Sequence, residues 1–225
     1  MPDDELSVRI LDVAPVTHNV RRYRLERPAG FSFEPGQATE VSIDSEGWRD
    51  RKRPFTFTGL AEWDHLEFTI KSYFDHAGVT DRLWSLTPGD RLILRDVWGT
   101  ITYNGPGTFI AGGAGVTPFI AILRRLHADG RLDGHRLIAS HRTVGDIILR
   151  DEFEAMPGLQ VLWTLTDEAA AAGVEHQRID QTLLRRHIDD MAQNFYLCGP
   201  DPMVKQLRAT LEALGAATET LVWER

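Results

Sequence analysis

Up to about Asn104 the chain alternates apolar and polar positions in short runs, the pattern of half-buried strands. Val41 and Ile43 flank Ser42. Phe55 and Phe57 alternate with Thr56 and Thr58, and Leu66, Phe68 and Ile70 with Glu67, Thr69 and Lys71. Leu92 and Leu94 repeat the pattern. Arg22 and Arg24 fall on one strand face, opposite Tyr23 and Leu25. Pro35-Gly36 and Pro88-Gly89 punctuate the runs. Roughly six short strands, interrupted by one helical stretch from Thr80 to Leu86, predict a small antiparallel β-barrel.

After Gly107 the texture changes to strands alternating with helices, the mark of a parallel α/β sheet. Strands are predicted over Thr108–Ala111, Arg136–Ser140, Gln160–Thr166, Asn194–Cys198 and Thr220–Trp223. Helices are predicted from Thr117-Pro118, with Thr117 as N-cap, over Asp180–Ile188, and from Asp201-Pro202. Asn104-Gly105-Pro106-Gly107 separates the textures, so two domains are expected, 1–104 a β-barrel and 105–225 a nucleotide-binding α/β domain.

Composition narrows the class. With 225 residues, 42% apolar and 26% charged, the chain reads as globular, with ample length for a core. Cys198 is the only cysteine, which excludes a disulfide scaffold, a Cys-rich zinc module and a four-cysteine iron–sulfur cluster, and no metal site is expected. A net charge of −8 argues against nucleic acid as a partner. Met1-Pro2-Asp3-Asp4-Glu5 lacks the basic and apolar regions of a signal peptide, and the apolar tract from Thr108 to Leu123 is broken by three glycines and a proline. A cytoplasmic protein without a membrane anchor is therefore expected.

Four stretches could carry chemistry, and each has a plainer reading. Gly112-Gly113-Ala114-Gly115-Val116-Thr117-Pro118 joins a strand to a helix N-terminus, where free N–H groups and the helix dipole favour a phosphate. It matches neither Gly-x-Gly-x-x-Gly nor a P-loop, and a tight turn with positive φ needs glycines as well. Arg53-Pro54-Phe55-Thr56 offers a guanidinium for a phosphate beside an aromatic ring and a hydroxyl, or simply an exposed strand end. Gly78-Val79-Thr80 opens the first helix; Thr80 can cap it, or the N–H groups can face a second phosphate. Cys198-Gly199-Pro200 ends a parallel strand, where ligand crevices form, although a lone buried cysteine is more often a small core residue.

Taken in order, Arg-x-aromatic-Thr, Gly-x-Thr, Gly-x-Gly-x-Thr-Pro and Cys-Gly-Pro-x-x-Met resemble the ferredoxin–NADP reductase superfamily, as does the turn Phe33-Glu34-Pro35-Gly36-Gln37. The resemblance implies FAD in the barrel and NADP, or alternatively NAD, in the α/β half. It places Arg53 and Pro54 at the flavin pyrophosphate, Phe55 against the isoalloxazine and Thr56 near flavin N5. Ile70, Lys71, Ser72, Gly78, Val79 and Thr80 would hold the ribityl and phosphate portions. Gly113, Gly115 and Thr117 would receive the nicotinamide dinucleotide, Ser140 and Arg142 a 2′-phosphate, and Cys198, Gly199 and Pro200 would border the nicotinamide. Catalytic roles are implied for Thr56, Cys198 and Glu224. Many relatives place an aromatic two residues after the glutamate, whereas Glu224 is followed by Arg225 alone.

The resemblance implies a reductase that takes hydride from NAD(P)H onto FAD and passes single electrons to a separate acceptor, with free flavin or ferric iron as alternative acceptors. A non-catalytic flavin-binding electron-transfer subunit is the other class. Arg49, Arg51, Lys52 and Arg53, with Arg21, Arg22 and Arg24, read either as a solvated surface or as a dock for an acidic carrier, ferredoxin or flavodoxin. The sequence leaves the oligomeric state open.

Overall fold

The alternating half folds as six antiparallel strands. In the computed structural model, which describes residues 5–99, 101–169 and 173–223, they are β1 (Leu6–Thr17), β2 (Val20–Glu26), β3 (Gln37–Ile43), β4 (Arg53–Thr56), β5 (His65–Lys71) and β6 (Arg91–Gly99), with helix α1 (Val79–Trp84) between β5 and β6. Their order is β4-β3-β6-β1-β2-β5. β1 serves both halves of this sheet: Leu6 to Arg9 pair with β6, and Ile10 to Thr17 pair with β2 across an irregularity between Ile10 and Asp12. The sheet thereby wraps one core, in which Ile10, Tyr23, Leu25, Val41, Phe57, Leu66, Phe68 and Leu94 meet.

The expected barrel is not closed. β4 and β5 end the strand order and share no ladder. β4 has only four residues, and Pro54 has no N–H to donate. One backbone bond, from Thr58 N–H to the Glu67 carbonyl at 2.9 Å, crosses just beyond β4. The alternation in β5 also misleads: Glu67 and Thr69, expected on a solvent face, are buried like their apolar neighbours.

The turn before β3 shows why its residues are what they are. Gln37 turns its Oε1 back onto the Glu34 N–H at 2.7 Å. Gly36 sits at φ +93°, and a Cβ there would strike the Ile101 carbonyl oxygen.

The second half holds six parallel strands in the order β10-β9-β8-β7-β11-β12. They are β7 (Gly107–Gly112), β8 (His135–His141), β9 (Leu159–Leu165), β10 (Val174–His176), β11 (Asn194–Cys198) and β12 (Leu221–Trp223). The helices are α2 (Thr117–Ala128), α3 (Arg150–Glu154), α4 (Gln181–His187) and α5 (Asp201–Ala213). Residues up to 102 group with 117–125 as one unit, and 103–116 with 126 onward as another. In the second unit Ile110, Ile138, Phe195 and Leu197 on the sheet pack with Leu183 and Leu184 of α4 and Leu207 and Leu211 of α5. Asp180 caps α4, its Oδ1 accepting from the Leu183 N–H at 2.9 Å. The sequence reading missed α3 and β10, elements of five and three residues.

At the opposite end of this sheet from the strand carboxyl ends, aromatic rings hold the start of the unit. Tyr196 stacks on Phe109 at 4.4 Å and on Tyr103 at 5.9 Å. Its hydroxyl donates to the Gly105 carbonyl at 2.7 Å and accepts the Asn104 N–H at 2.9 Å, while burial pushes the phenol up to about 12. His135, 2% exposed, has its Nδ1 3.1 Å from the Leu132 carbonyl and its Nε2 2.9 Å from the Tyr103 hydroxyl. A neutral ring donating at Nδ1 and accepting at Nε2 satisfies both contacts.

Two outcomes follow from this packing. Gly36→Ala is expected to destabilise the first unit by about 1–3 kcal/mol, read as a lower denaturant midpoint; an unchanged midpoint contradicts the assigned strain. Burial holds the His135 pKa below the ordinary value of 6.5, so the unfolded chain binds a proton there more readily. His135 therefore contributes stability that is complete above about pH 6.5 and is lost as pH falls toward the folded value. Melting temperatures of the parent are expected to fall more steeply below pH 6.5 than those of His135→Gln; parallel profiles would show that His135 is not the group responsible.

Candidate functional site

The parallel sheet reverses its strand order at β7, which lies between β8 and β11. In such sheets a crevice opens beyond the strand carboxyl ends at this point. Register brings two predicted site residues there, one on either side of the end of β7: Cys198 lies beside Ala111, and Ser140 beside Gly112. Beyond Gly112 the chain makes a short 3₁₀ turn over Gly113–Val116 that runs directly into α2. Thr117 is thus the first residue of α2 and not the N-cap expected from the sequence.

The glycines of this turn have separate reasons. A Cβ on Gly112 would collide with Met203 Sδ, and one on Gly115 with the Cys198 carbonyl oxygen. Those two permit the turn to pass close against the end of β11 and the start of α5. Gly113 has φ +55°, and a Cβ there would meet nothing within 4 Å. The turn is therefore tight for packing reasons at two positions and open at the third, where an incoming phosphate would approach main-chain N–H groups. These residues fit a dinucleotide. Cys198 is buried, Gly199 half-buried and Pro200 exposed beside it.

Ser140 and Arg142 follow β8. Arg142 is 77% exposed, and its Nε donates to Asp167 Oδ2 at 2.6 Å. That bond holds the guanidinium above, and the Asp167 carboxyl below, their ordinary pKa ranges. Glu168 accepts the Val144 N–H at 2.7 Å, and Asp146 accepts the Thr143 N–H at 3.0 Å. Acids therefore surround this arginine.

In the first unit the motif Arg53-Pro54-Phe55-Thr56 is β4 itself, an edge strand. Arg53 and Pro54 are exposed, Phe55 is half-buried with its ring 6.3 Å from Phe68 of β5, and Thr56 is buried. The absence of a ladder between β4 and β5 leaves an edge on which a flat polar ring can use main-chain groups. With an exposed guanidinium at one end and an aromatic beside it, this edge fits a flavin phosphate and ring. Ile70 and Ser72 are buried, Lys71 half-buried. The Ser72 hydroxyl donates to the Thr80 carbonyl at 2.7 Å, tying the end of β5 to α1. Gly78, not Thr80, is the N-cap of α1; it makes no side-chain cap, and its N–H is already given to the His76 carbonyl. Glu224 lies outside the described residues.

The basic runs are largely engaged. Arg21 donates to the Trp84 carbonyl at 2.6 Å with its guanidinium 3.9 Å above the Trp84 ring. Arg22 and Arg24 approach Glu67 at 3.8 and 3.9 Å. Arg49 pairs with Asp44 and Glu5, Lys52 pairs with Glu40 at 3.6 Å, and Arg51 lies over Trp48. This reduces the charge expected of a docking patch. The sequence reading missed Thr58, Glu67 and Arg124. Arg124 Nη1 donates to Glu67 Oε1 at 2.6 Å and to the Thr58 carbonyl at 2.8 Å. A glutamate inside an alternating strand carried no signal that α2 covers it. Among the described residues no helix is long and apolar enough to cross a membrane.

Residues 109–209 match the family model of the oxidoreductase NAD-binding domain. Along the whole chain, similarity extends to the reductase component of propane 2-monooxygenase from Rhodococcus jostii (strain RHA1), 27% identical over 100% of this chain and 64% of that protein. The chain spans less than two thirds of that relative's length. It is also similar to NADH-cytochrome b5 reductase 1 of Bos taurus, 27% identical over 95% of this chain and 83% of the relative. Among solved structures it is similar to a ferredoxin NADP+ reductase from Neisseria gonorrhoeae with bound FAD and NADP, with TM-score 0.82 and 22% identity over 95% of this chain and 92% of that one. That likeness is one of fold.

Proposed function

We propose that the chain is a member of the ferredoxin reductase-like superfamily, an FAD-dependent NAD(P)H oxidoreductase that delivers electrons to a separate acceptor protein, a reading supported by the match of residues 109–209 to the NAD-binding domain and by the likeness of fold. The observation that carries the reading is the pairing, in one chain, of an open β4 edge bearing Arg53, Phe55 and Thr56 with an NAD-binding unit whose glycine turn is open at Gly113. Bound FAD would supply the redox chemistry, accepting a hydride from the nicotinamide and releasing electrons one at a time.

The chain's own residues bind and orient. Arg53 offers a fork of N–H donors to the flavin pyrophosphate, with Pro54 fixing the strand beside it. Phe55 supports one face of the ring, and Thr56 is assigned to the neighbourhood of N5. Ile70, Lys71 and Ser72 line the ribityl side, and the first turn of α1, at Gly78, Val79 and Thr80, lies at the phosphate end. Gly113, Gly115 and Thr117 take the dinucleotide phosphates, while Cys198, Gly199 and Pro200 bound the nicotinamide. Ser140 and Arg142 stand where NADPH carries its 2′-phosphate. Glu224 keeps the role that the family resemblance gives it. The acceptor is a protein carrier, ferredoxin or flavodoxin being the chemistry first expected; the relatives act as a monooxygenase component and as a cytochrome b5 reductase by name.

Purified protein is expected to be yellow with FAD bound, and anaerobic NADH or NADPH is expected to bleach it. A colourless protein after reconstitution, or an oxidised spectrum that persists under both nucleotides, overturns the proposal. Arg53→Ala is expected to lower FAD occupancy at least about tenfold by removing a charge-assisted pair; full occupancy would remove Arg53 from the site. Asp167→Asn, which keeps a hydrogen-bond acceptor but not the charge, is expected to raise kcat/KM for NADPH by about three- to tenfold relative to NADH. An unchanged ratio of the two would take Arg142 out of the nucleotide site.

A further inference from the structure

Thr58, two residues beyond β4, is held more tightly than any residue within β4. Its N–H donates to the Glu67 carbonyl at 2.9 Å, its hydroxyl donates to Glu67 Oε1 at 3.0 Å and lies 3.2 Å from the Thr69 hydroxyl, and its carbonyl accepts from Arg124 at 2.8 Å. Arg124 closes the circuit with its 2.6 Å bond to Glu67 Oε1. All of this is out of water: Thr58 is 0%, Glu67 1% and Arg124 9% exposed. Gly59 follows, and a Cβ there would press on Trp63 and Glu67. The Arg124 guanidinium in turn lies 5.3 Å from the Trp63 ring.

We propose that Glu67 and Arg124 form a positioning pair for the flavin-facing strand, fixing β4 through Thr58 and thereby setting where Phe55 and Thr56 meet the flavin ring. The assignment rests on the flavin reading of β4 given above.

Three observations carry it. First, β4 is otherwise anchored on one side only, through four register pairs with β3 from Ala38–Thr56 to Val41–Arg53. Without Thr58 its free edge has no ladder to define its distance from β5. Second, Thr58 follows the end of β4 by only two residues, so a displacement of Thr58 is carried along the main chain to Thr56. Third, a buried ion pair is a poor way to gain stability, because apolar side chains of the same volume serve as well or better. What the pair adds is direction. One guanidinium nitrogen engages both a carboxylate on β5 and a main-chain carbonyl beyond β4, a geometry that an apolar plug cannot impose. Arg22 and Arg24, at 3.8 and 3.9 Å from Glu67 Oε2, add cations on the carboxylate's other oxygen.

The test uses Thr58→Val, which removes one hydroxyl and keeps shape and both charges, together with Arg124→Met and Arg124→Lys, all in the full chain reconstituted with FAD. Thr58→Val and Arg124→Met are expected to retain FAD through gel filtration but to shift the visible bands and fluorescence of the bound flavin. Their reduction at saturating NADH or NADPH is expected to slow by about tenfold, with the half-saturating nucleotide concentration changed less than about twofold. Arg124→Lys, which can still donate to both oxygens, is expected to restore most of the parent spectrum and rate. Parent-like spectra and rates in Thr58→Val overturn the proposal, and that variant decides if Arg124→Met fails to fold. A parent chain that shows no flavin bands at all overturns the flavin reading and the positioning role with it, whereas flavin-loaded variants indistinguishable from a flavin-loaded parent overturn only the positioning role.

Discussion

A carboxylate at 1% exposure imposes more on its surroundings than any apolar residue does. Removing a charged group from water costs on the order of several kcal/mol, and the cost is offset only where opposite charge and hydrogen-bond donors converge on it. In this protein they come from three separate segments of the sequence: Arg22 and Arg24 on β2, Thr58 beyond β4, and Arg124 on α2. Each of those segments must therefore be in place before Glu67 can be buried. That condition ties α2 to the strands with which residues 117–125 group. It also explains how a sheet with an open seam keeps its two end strands at a defined separation.

The two units make room for a ligand by opposite means. In the first, room comes from a missing ladder: β4 is short, contains Pro54 and leaves its main chain available along one edge. In the second, it comes from missing side chains. Gly112 and Gly115 allow the turn after β7 to press against Met203 and the Cys198 carbonyl, and that close packing carries Gly113, at positive φ, to a place where nothing stands over it. A closed barrel in the first unit, or alanines in the second, would give ordinary protein interiors with no approach for a flat ring or a phosphate.

Much of this was legible before the structure, for reasons particular residues make plain. Asn194–Cys198 matches the expected bounds: Gly199-Pro200 follows it, and Phe-Tyr-Leu-Cys has the unbroken apolar run of a strand buried on both faces. Simple alternation puts Tyr23 and Leu25 on the face opposite Arg22 and Arg24, and that face is the one buried in the core. The same alternation failed at Glu67 and Thr69, because period two reports which residues share a face and not whether that face is covered. The N-cap at Thr117 failed similarly: a 3₁₀ turn of glycines, alanine and valine has no sequence signal to set it apart from the loop it replaces. The basic run at 49–53 looked like free charge because its partners, Glu5, Glu40 and Asp44, come from other segments.

Paired arginines also change what a charged site can select. Asp167 does two things to Arg142: it orients the guanidinium, and it brings a negative charge beside the group to which the proposed function assigns a 2′-phosphate. Orientation saves only the ordering of one long side chain. A carboxylate beside a phosphate repels it even in water, and a phosphate near neutral pH carries between one and two charges. The acid therefore works against a phosphate-bearing nucleotide even as it orders Arg142, and the ribose hydroxyl of the unphosphorylated nucleotide meets no such repulsion. Asp146, in the loop after β8, and Glu168, in the loop after β9, add negative charge nearby. On the proposed reading, discrimination between the two nucleotides turns on the carboxylates around the arginine, and the presence of an arginine after the second parallel strand does not by itself decide it.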